Sequence, residues 1–262
     1  MSQPPATPSE QTRRVRPPPR RVSVLRTMRV TPRVVQLTLG GEGLAGFATP
    51  RPGGHMKLMV LPPESRDWTP ASEVPRPPMR TYTPRRYDAI RNELDVEFVM
   101  HGSGLASSWA EHAQPGEELY VAGPGGGYDI PAGTQHLLLM ADDTAMPAAG
   151  MILEALPPGC AAQVMCEVED AAEERPLSPR VGAVVQWLHR ASANTASGEL
   201  LLKAAGALKL PEGAACWIAC EAGMMRRIRD ALIANGVARS LIHGRGYWKA
   251  GETAYPDHDY GE

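Results

Sequence analysis

A chain of 262 residues, 43% hydrophobic and 21% charged, can bury one large core or two of ordinary size. Its net charge of −2 gives no global basic field, so nucleic acid is not an expected partner. With 26 Pro and 26 Gly the loop content is high, which suits all-β plus α/β structure better than a helical bundle.

Residues 1–20 set Arg13, Arg14, Arg16 and Arg20 among prolines with no apolar stretch. That pattern shows no secretory signal and reads as a disordered lead-in. No apolar run is long enough to cross a bilayer. Ordered sequence is expected from about Arg21. Val22, Val24 and Met28–Val30, then Val34, Leu37 and Leu39, form two β-rich runs separated by Thr31-Pro32 and closed by Gly40-Gly41. His55–Leu61 reads as a third strand. Residues 62–79 form a long Pro- and charge-rich surface loop. Strands follow around Met79–Arg86, Glu93–Met100 and Leu119–Val121, the second alternating as Leu94, Val96, Phe98, Met100. Six short strands with turns between them describe a small antiparallel barrel over residues 21–131.

The pattern changes after Pro131. Leu137–Ala141 is a continuous apolar run, as for a strand buried on both faces. Ala145–Leu156 is helical in pattern, Cys160–Val168 and Val184–Leu188 are strands, and Ser197–Ala207 is a helix. Ala214–Cys220 is a strand, Met224–Asn235 a helix with Gly236 after its end, and Leu241–Tyr247 a last strand. Alternating β and α predicts a parallel sheet covered on both sides over residues 132–262. The four cysteines, Cys160, Cys166, Cys216 and Cys220, show no metal-ligand spacing and read as buried thiols of a reducing cytoplasm.

Three places carry chemistry. Arg80-Thr81-Tyr82-Thr83 puts a guanidinium, an aromatic ring and a hydroxyl on one extended segment. Arg80 and Tyr82 share a face there: one can clamp phosphate, the other can stack on a ring system, and Thr83 can bond its edge. A flavin nucleotide has all three needs, although an exposed strand of this composition commonly binds nothing. His101-Gly102-Ser103-Gly104 leads into a helix whose first turn carries Ala106, Ser107 and Ser108, either an anion site or a plain serine-capped start. Asp142-Asp143-Thr144-Ala145 and Glu221-Ala222 end two parallel strands, where α/β sheets bind nucleotides; Asp143 as an ordinary helix cap is the alternative. Gly123-Pro124-Gly125-Gly126-Gly127 is not a dinucleotide fingerprint and allows either close approach of a ligand or a hinge. Lys57, Arg245 and Lys249 could form a basic mouth for an anionic substrate, or remain merely solvated.

In this order, the chain resembles the siderophore-interacting protein family, flavin-dependent ferric-siderophore reductases of the ferredoxin–NADP reductase-like superfamily. The matching stretches are Arg80 to Asp88, His101 to Ala110, Ala122 to Gly125, Asp142 to Pro147, Trp217 to Gly223 and Gly246 to Lys249. The resemblance implies an FAD-binding barrel followed by an NAD(P)H-binding α/β domain. Tyr82 would stack on the isoalloxazine, Arg80 would hold phosphate, Thr83 would face the flavin edge and Ser107 the pyrophosphate. His101, Ala106, Asp142, Thr144 and Ala145 complete the implied cofactor contacts, and Asp143, Glu221 and Ala222 those to the nicotinamide nucleotide. Lys57, Arg245 and Lys249 would meet the ferric siderophore. The implied donor is NADH, NADPH or a ferredoxin. Iron would arrive with the substrate, so no protein metal site and no acid, base or nucleophile is expected. Gly125 stands where some relatives carry a basic residue, Asp143 where Glu is more frequent, and Cys220 where Gly is. A different flavin reductase on this scaffold, and a colourless ferric-chelate binder, are the rival readings.

Overall fold

The structure, a computed structural model, describes residues 17–61, 67–71, 73, 75–102, 104–177, 183–253 and 255. Most of the predicted N-terminal tail and part of the Pro-rich loop lie outside the described residues.

The N-terminal half is one antiparallel sheet. Its strands are β1 (Arg20–Thr31), β2 (Val34–Gly40), β3 (His55–Val60), β4 (Met79–Tyr82), β5 (Arg86–Asp88), β6 (Glu93–Val99) and β7 (Glu118–Gly125). They run in the order β4-β3-β7-β1-β2-β6-β5. The alternation in β6 buries Leu94, Val96 and Phe98 and leaves the intervening acidic residues half-buried. The two edge strands, β4 and β5, are consecutive in sequence. Four Cα steps from Tyr82 to Arg86 span at most about 14 Å, so the sheet curls until its two edges come within that distance of each other at this point. A short covalent link bridges the two edges of the barrel. A single strand was predicted over Met79–Arg86; the structure breaks it in two at Thr83–Arg85, where Pro84 has no N–H to give to a ladder. Helix α1 (Leu105–His112) buries Ala106 and Ala110 against the barrel core.

The C-terminal half comprises β8 (His136–Asp142), α2 (Met146–Glu154), β9 (Ala161–Val168), β10 (Ala183–His189), α3 (Arg190–Ala193), α4 (Glu199–Ala207), β11 (Ala215–Glu221), α5 (Ala222–Ala234) and β12 (Ile242–Trp248). The five strands are parallel in the order β10-β9-β8-β11-β12. The continuous apolar run of β8 is explained by its two buried faces. Leu137, Leu139 and Ala141 pack with Ala148, Ala149 and Ile152 of α2, while Leu138 and Met140 pack with Leu201, Ile228 and Leu232 of α4 and α5. Helix α5 begins two residues before its predicted start because the Glu221 carboxylate accepts the Met224 N–H at 2.8 Å and caps it. All four cysteines are free and buried, and burial pushes the Cys166 and Cys216 thiols up to about 12. Such thiols are packing groups rather than nucleophiles.

The halves are joined by polar contacts around one seam. The Glu97 carboxylate of β6 accepts from Arg175 Nε at 3.1 Å, with the arginine buried and the carboxylate nearly so. Glu173 accepts from the Thr31 hydroxyl at 2.5 Å and the Arg33 N–H at 3.0 Å, and Arg85 reaches Glu154 at 2.8 Å. Among the described residues, no helix is long and apolar enough to cross a membrane.

Candidate functional site

The strand order reverses between β8 and β11, the position at which open α/β sheets bind ligands beyond their carboxyl ends. There the seam opens into a cleft. Tyr82, Thr83, Glu97 and His101 wall it from the barrel; Thr144, Arg245, Tyr247 and Trp248 wall it from the α/β half, with His55 at its rim strand.

The barrel wall is built around Tyr82. Its ring lies against Phe98 of β6, with centroids 4.5 Å apart and planes tilted by 42°. Burial pushes its phenol well above the ordinary range, so it stays neutral and offers a flat, uncharged face. Thr83 is 94% buried, and its side chain hydrogen-bonds Tyr247 of β12 across the seam. Beside them α1 starts at Gly104, whose φ of +106 suits glycine and which has no side chain with which to cap the first turn. His101 Nε2 lies 3.3 Å from Ser107 Oγ at that helix start.

On the opposite wall, Asp142 at the end of β8 is fully buried. Its Oδ1 accepts from the Thr144 N–H at 2.9 Å and hydroxyl at 2.6 Å, and its Oδ2 accepts from Trp248 Nε1 at 2.8 Å. Burial pushes this carboxyl up to about 6 against the pull of those bonds. Asp142 therefore fixes the turn that carries Thr144 and the ring that ends β12. Arg245 is 95% buried, its Nη2 is 2.9 Å from His55 Nδ1, and its guanidinium carbon is 5.8 Å from the centre of the Tyr247 ring.

Of the residues singled out in the sequence, Tyr82, Thr83, His101, Thr144 and Arg245 line the cleft together. Arg80 sits beside it on β4, donating to the Met79 carbonyl at 3.0 Å. Ala106 and Ser107 are buried in the first turn of α1, and Ala145 is buried behind Thr144. Asp143 is held by Arg190 at 2.7 Å, and its other oxygen is buried with no hydrogen-bond partner. Glu221 caps α5 and Ala222 is buried in its first turn. Lys57 donates to Thr81 at 2.7 Å, and Lys249 pairs with Glu252 at 2.5 Å on the exposed end of β12. His55, Glu97 and the aromatic side of β12 are cleft residues that the sequence did not single out for this role. They lie on strands far apart in the chain, and no local pattern marks them.

The arrangement fits a flavin dinucleotide. It offers a neutral aromatic face backed by Phe98, a hydroxyl and backbone edge at Thr83, and an uncapped helix start for a pyrophosphate. Among the described residues no group of three or more His, Cys, Asp or Glu could hold a metal ion.

Two family models match the chain. Residues 23–128 match the siderophore-interacting FAD-binding domain and residues 134–251 the siderophore-interacting protein family. The ferric vibriobactin reductase of Vibrio cholerae is 32% identical over 92% of this chain and 93% of its own length. The NADPH-dependent ferric-chelate reductase of Escherichia coli is 37% identical over 64% of this chain and 70% of its own. A siderophore utilization protein from T. fusca, solved by crystallography, superposes with a TM-score of 0.81 at 36% identity, covering 92% of this chain and 96% of that one.

Proposed function

The chain belongs to the siderophore-interacting protein family, and we propose that it is an FAD-dependent reductase of ferric siderophores, drawing electrons from NADH, NADPH or a ferredoxin. The observation that carries this reading is the cleft itself, where the aromatic wall of the barrel faces a buried arginine on the last strand of the α/β half.

FAD held in this cleft would supply chemistry that is two-electron toward a nicotinamide and one-electron toward an acceptor such as Fe(III). Two ferric ions are reduced for each NAD(P)H oxidised, and one proton is released. Fe(III) is a hard cation held tightly by anionic oxygen ligands, and Fe(II) is held less tightly, so reduction releases the metal from its chelator.

The protein contributes position and charge. Tyr82 would support the flavin ring, and Thr83, tethered to Tyr247, would meet the ring edge. Arg80, His101, Ala106, Ser107 and the first-turn N–H groups of α1 would take the phosphates and the chain that joins them to the ring. Thr144 and Ala145, on the turn that Asp142 braces, close the cofactor site from the α/β side. Asp143, Glu221 and Ala222 mark the strand ends beyond which the nicotinamide nucleotide lies, carboxylates being apt partners for ribose hydroxyls. Arg245, Lys57 and Lys249 draw in an anionic ferric chelate. The barrel over residues 21–131 serves the FAD and residues 132–262 serve the donor. Four buried free thiols suit a reducing compartment, and we place the protein in the cytoplasm.

The test is anaerobic. FAD-loaded protein is reduced with NADH or NADPH, then mixed with ferric siderophores, a quinone or free flavin, and flavin colour is followed. Reoxidation fastest with a ferric siderophore, with Fe(II) appearing in a chromogenic chelator, is expected. Faster reoxidation by quinone or free flavin would show a different reductase on the same scaffold.

A further inference from the structure

Gly125-Gly126-Gly127 has no place in the cofactor site as drawn, and His55 is a cleft residue without a role. The two belong together. A Cβ on Gly126, where φ is +64, would lie 2.7 Å from His55 Nδ1 and 2.8 Å from its Cε1. A Cβ on Gly125 would lie 3.7 Å from His55 Nε2. The imidazole is thus seated on bare backbone at the end of β7, and only glycine at position 126 leaves it room. Arg245 comes to the same place. Its Nη2 is 2.9 Å from His55 Nδ1, and its Nη1 would lie 3.8 Å from a Gly126 Cβ.

A guanidinium is always charged and carries only donors, so Nδ1 must accept. The neutral ring then carries its proton on Nε2. A histidine used in this way sets the plane of the arginine fork without cancelling its charge, as a carboxylate would. The wall made by His55 and Arg245 keeps the full positive charge of the guanidinium.

We propose that His55 is a positioning residue for the substrate: seated on Gly126, it holds the Arg245 guanidinium toward the cleft so that it can receive an anionic ferric chelate. This rests on the reductase reading and adds to it a residue that acts through Arg245. The recognised chemistry is clustered anionic oxygen, as on a tris-catecholate chelate, in preference to an uncharged tris-hydroxamate.

Gallium(III) complexes keep the charge and shape of their ferric counterparts but are not reduced, so binding can be read apart from turnover. Their affinity for FAD-loaded protein is followed by tryptophan fluorescence. His55→Leu is expected to weaken the anionic complex about tenfold relative to the uncharged one, the scale of a lost charge-assisted hydrogen bond. His55→Asn, which restores an acceptor near Nδ1, is expected to stay within about threefold of the parent. Gly126→Ala, which displaces the ring while leaving His55 in the chain, should reproduce the His55→Leu effect. An unchanged anionic-to-neutral ratio in His55→Leu overturns the proposal, as does His55→Asn behaving like His55→Leu in protein that retains its flavin. A parent protein that binds the gallium complexes yet reduces no ferric chelate sinks the reductase reading, while the variants still decide the role of His55.

Discussion

A buried carboxylate at the end of β8 holds the turn before α2 and the indole that ends β12, and this gives Asp142 a measurable pH signature. Its carboxyl is raised from 3.8 to about 6, chiefly by burial. Between those values the folded chain holds a proton that the unfolded chain has released, so stability falls as pH rises through that window and the loss is complete above it. Two pKa units correspond to on the order of 3 kcal/mol. Asp142→Asn cannot titrate, so its unfolding free energy relative to the parent should improve between about pH 4 and about pH 7. A difference constant over that range contradicts the assignment. Lys249 is a weaker case because it is half exposed and paired with Glu252. Lys249→Ala should raise KM for an anionic ferric siderophore about threefold and leave KM for NAD(P)H alone, as for a screened charge at the mouth. Equal changes in both would remove it from the substrate path.

Helix α4 depends on a residue 32 positions before its first. Glu167, wholly buried at the end of β9, accepts from the backbone N–H groups of Gly198 at 2.5 Å, Leu200 at 3.0 Å and Leu201 at 3.2 Å. Glu167→Ala would strand those donors and remove a charge near Arg190. It should cost about 2–4 kcal/mol in urea unfolding while flavin content holds; a cost below about 0.5 kcal/mol would show that the cap is dispensable. The elements themselves were legible in the sequence because their patterns are local: the alternation of β6, the apolar run of β8, and the change from β to βα after Pro131. The break between β4 and β5 was also present in Pro84 but was outweighed by the β-rich residues around it. What joins elements was not legible. Glu167 reaching α4, Asp142 reaching Trp248 and His55 seated on Gly126 pair residues 31 to 106 positions apart, and no spacing rule covers such pairs. In the site, Tyr82, Thr83, His101 and Thr144 stood in recognisable segments, whereas Glu97 looked like any outward residue of an alternating strand.

At the scale of the molecule, the cleft lies where two halves with separate cores meet along a polar seam. Glu97 and Arg175 form its most buried ion pair, and Glu97 also lines the cleft. Arg175→Met alone leaves a buried carboxylate without its cation and should cost about 3–5 kcal/mol, with looser FAD retention. Adding Glu97→Gln should recover most of that loss; if the double variant is no better than the single, the pair is not what braces the seam. The reductase account stands on one FAD lodging in this cleft against Tyr82. The most direct test is the flavin content of the purified chain beside its Tyr82→Ala and Arg80→Ala variants, each confirmed as folded by circular dichroism. The account expects one FAD per parent chain, from purification or on adding the cofactor, and a clear loss of retained flavin in both variants. A colourless parent that takes up no FAD, or variants that hold it as firmly as the parent, would contradict it.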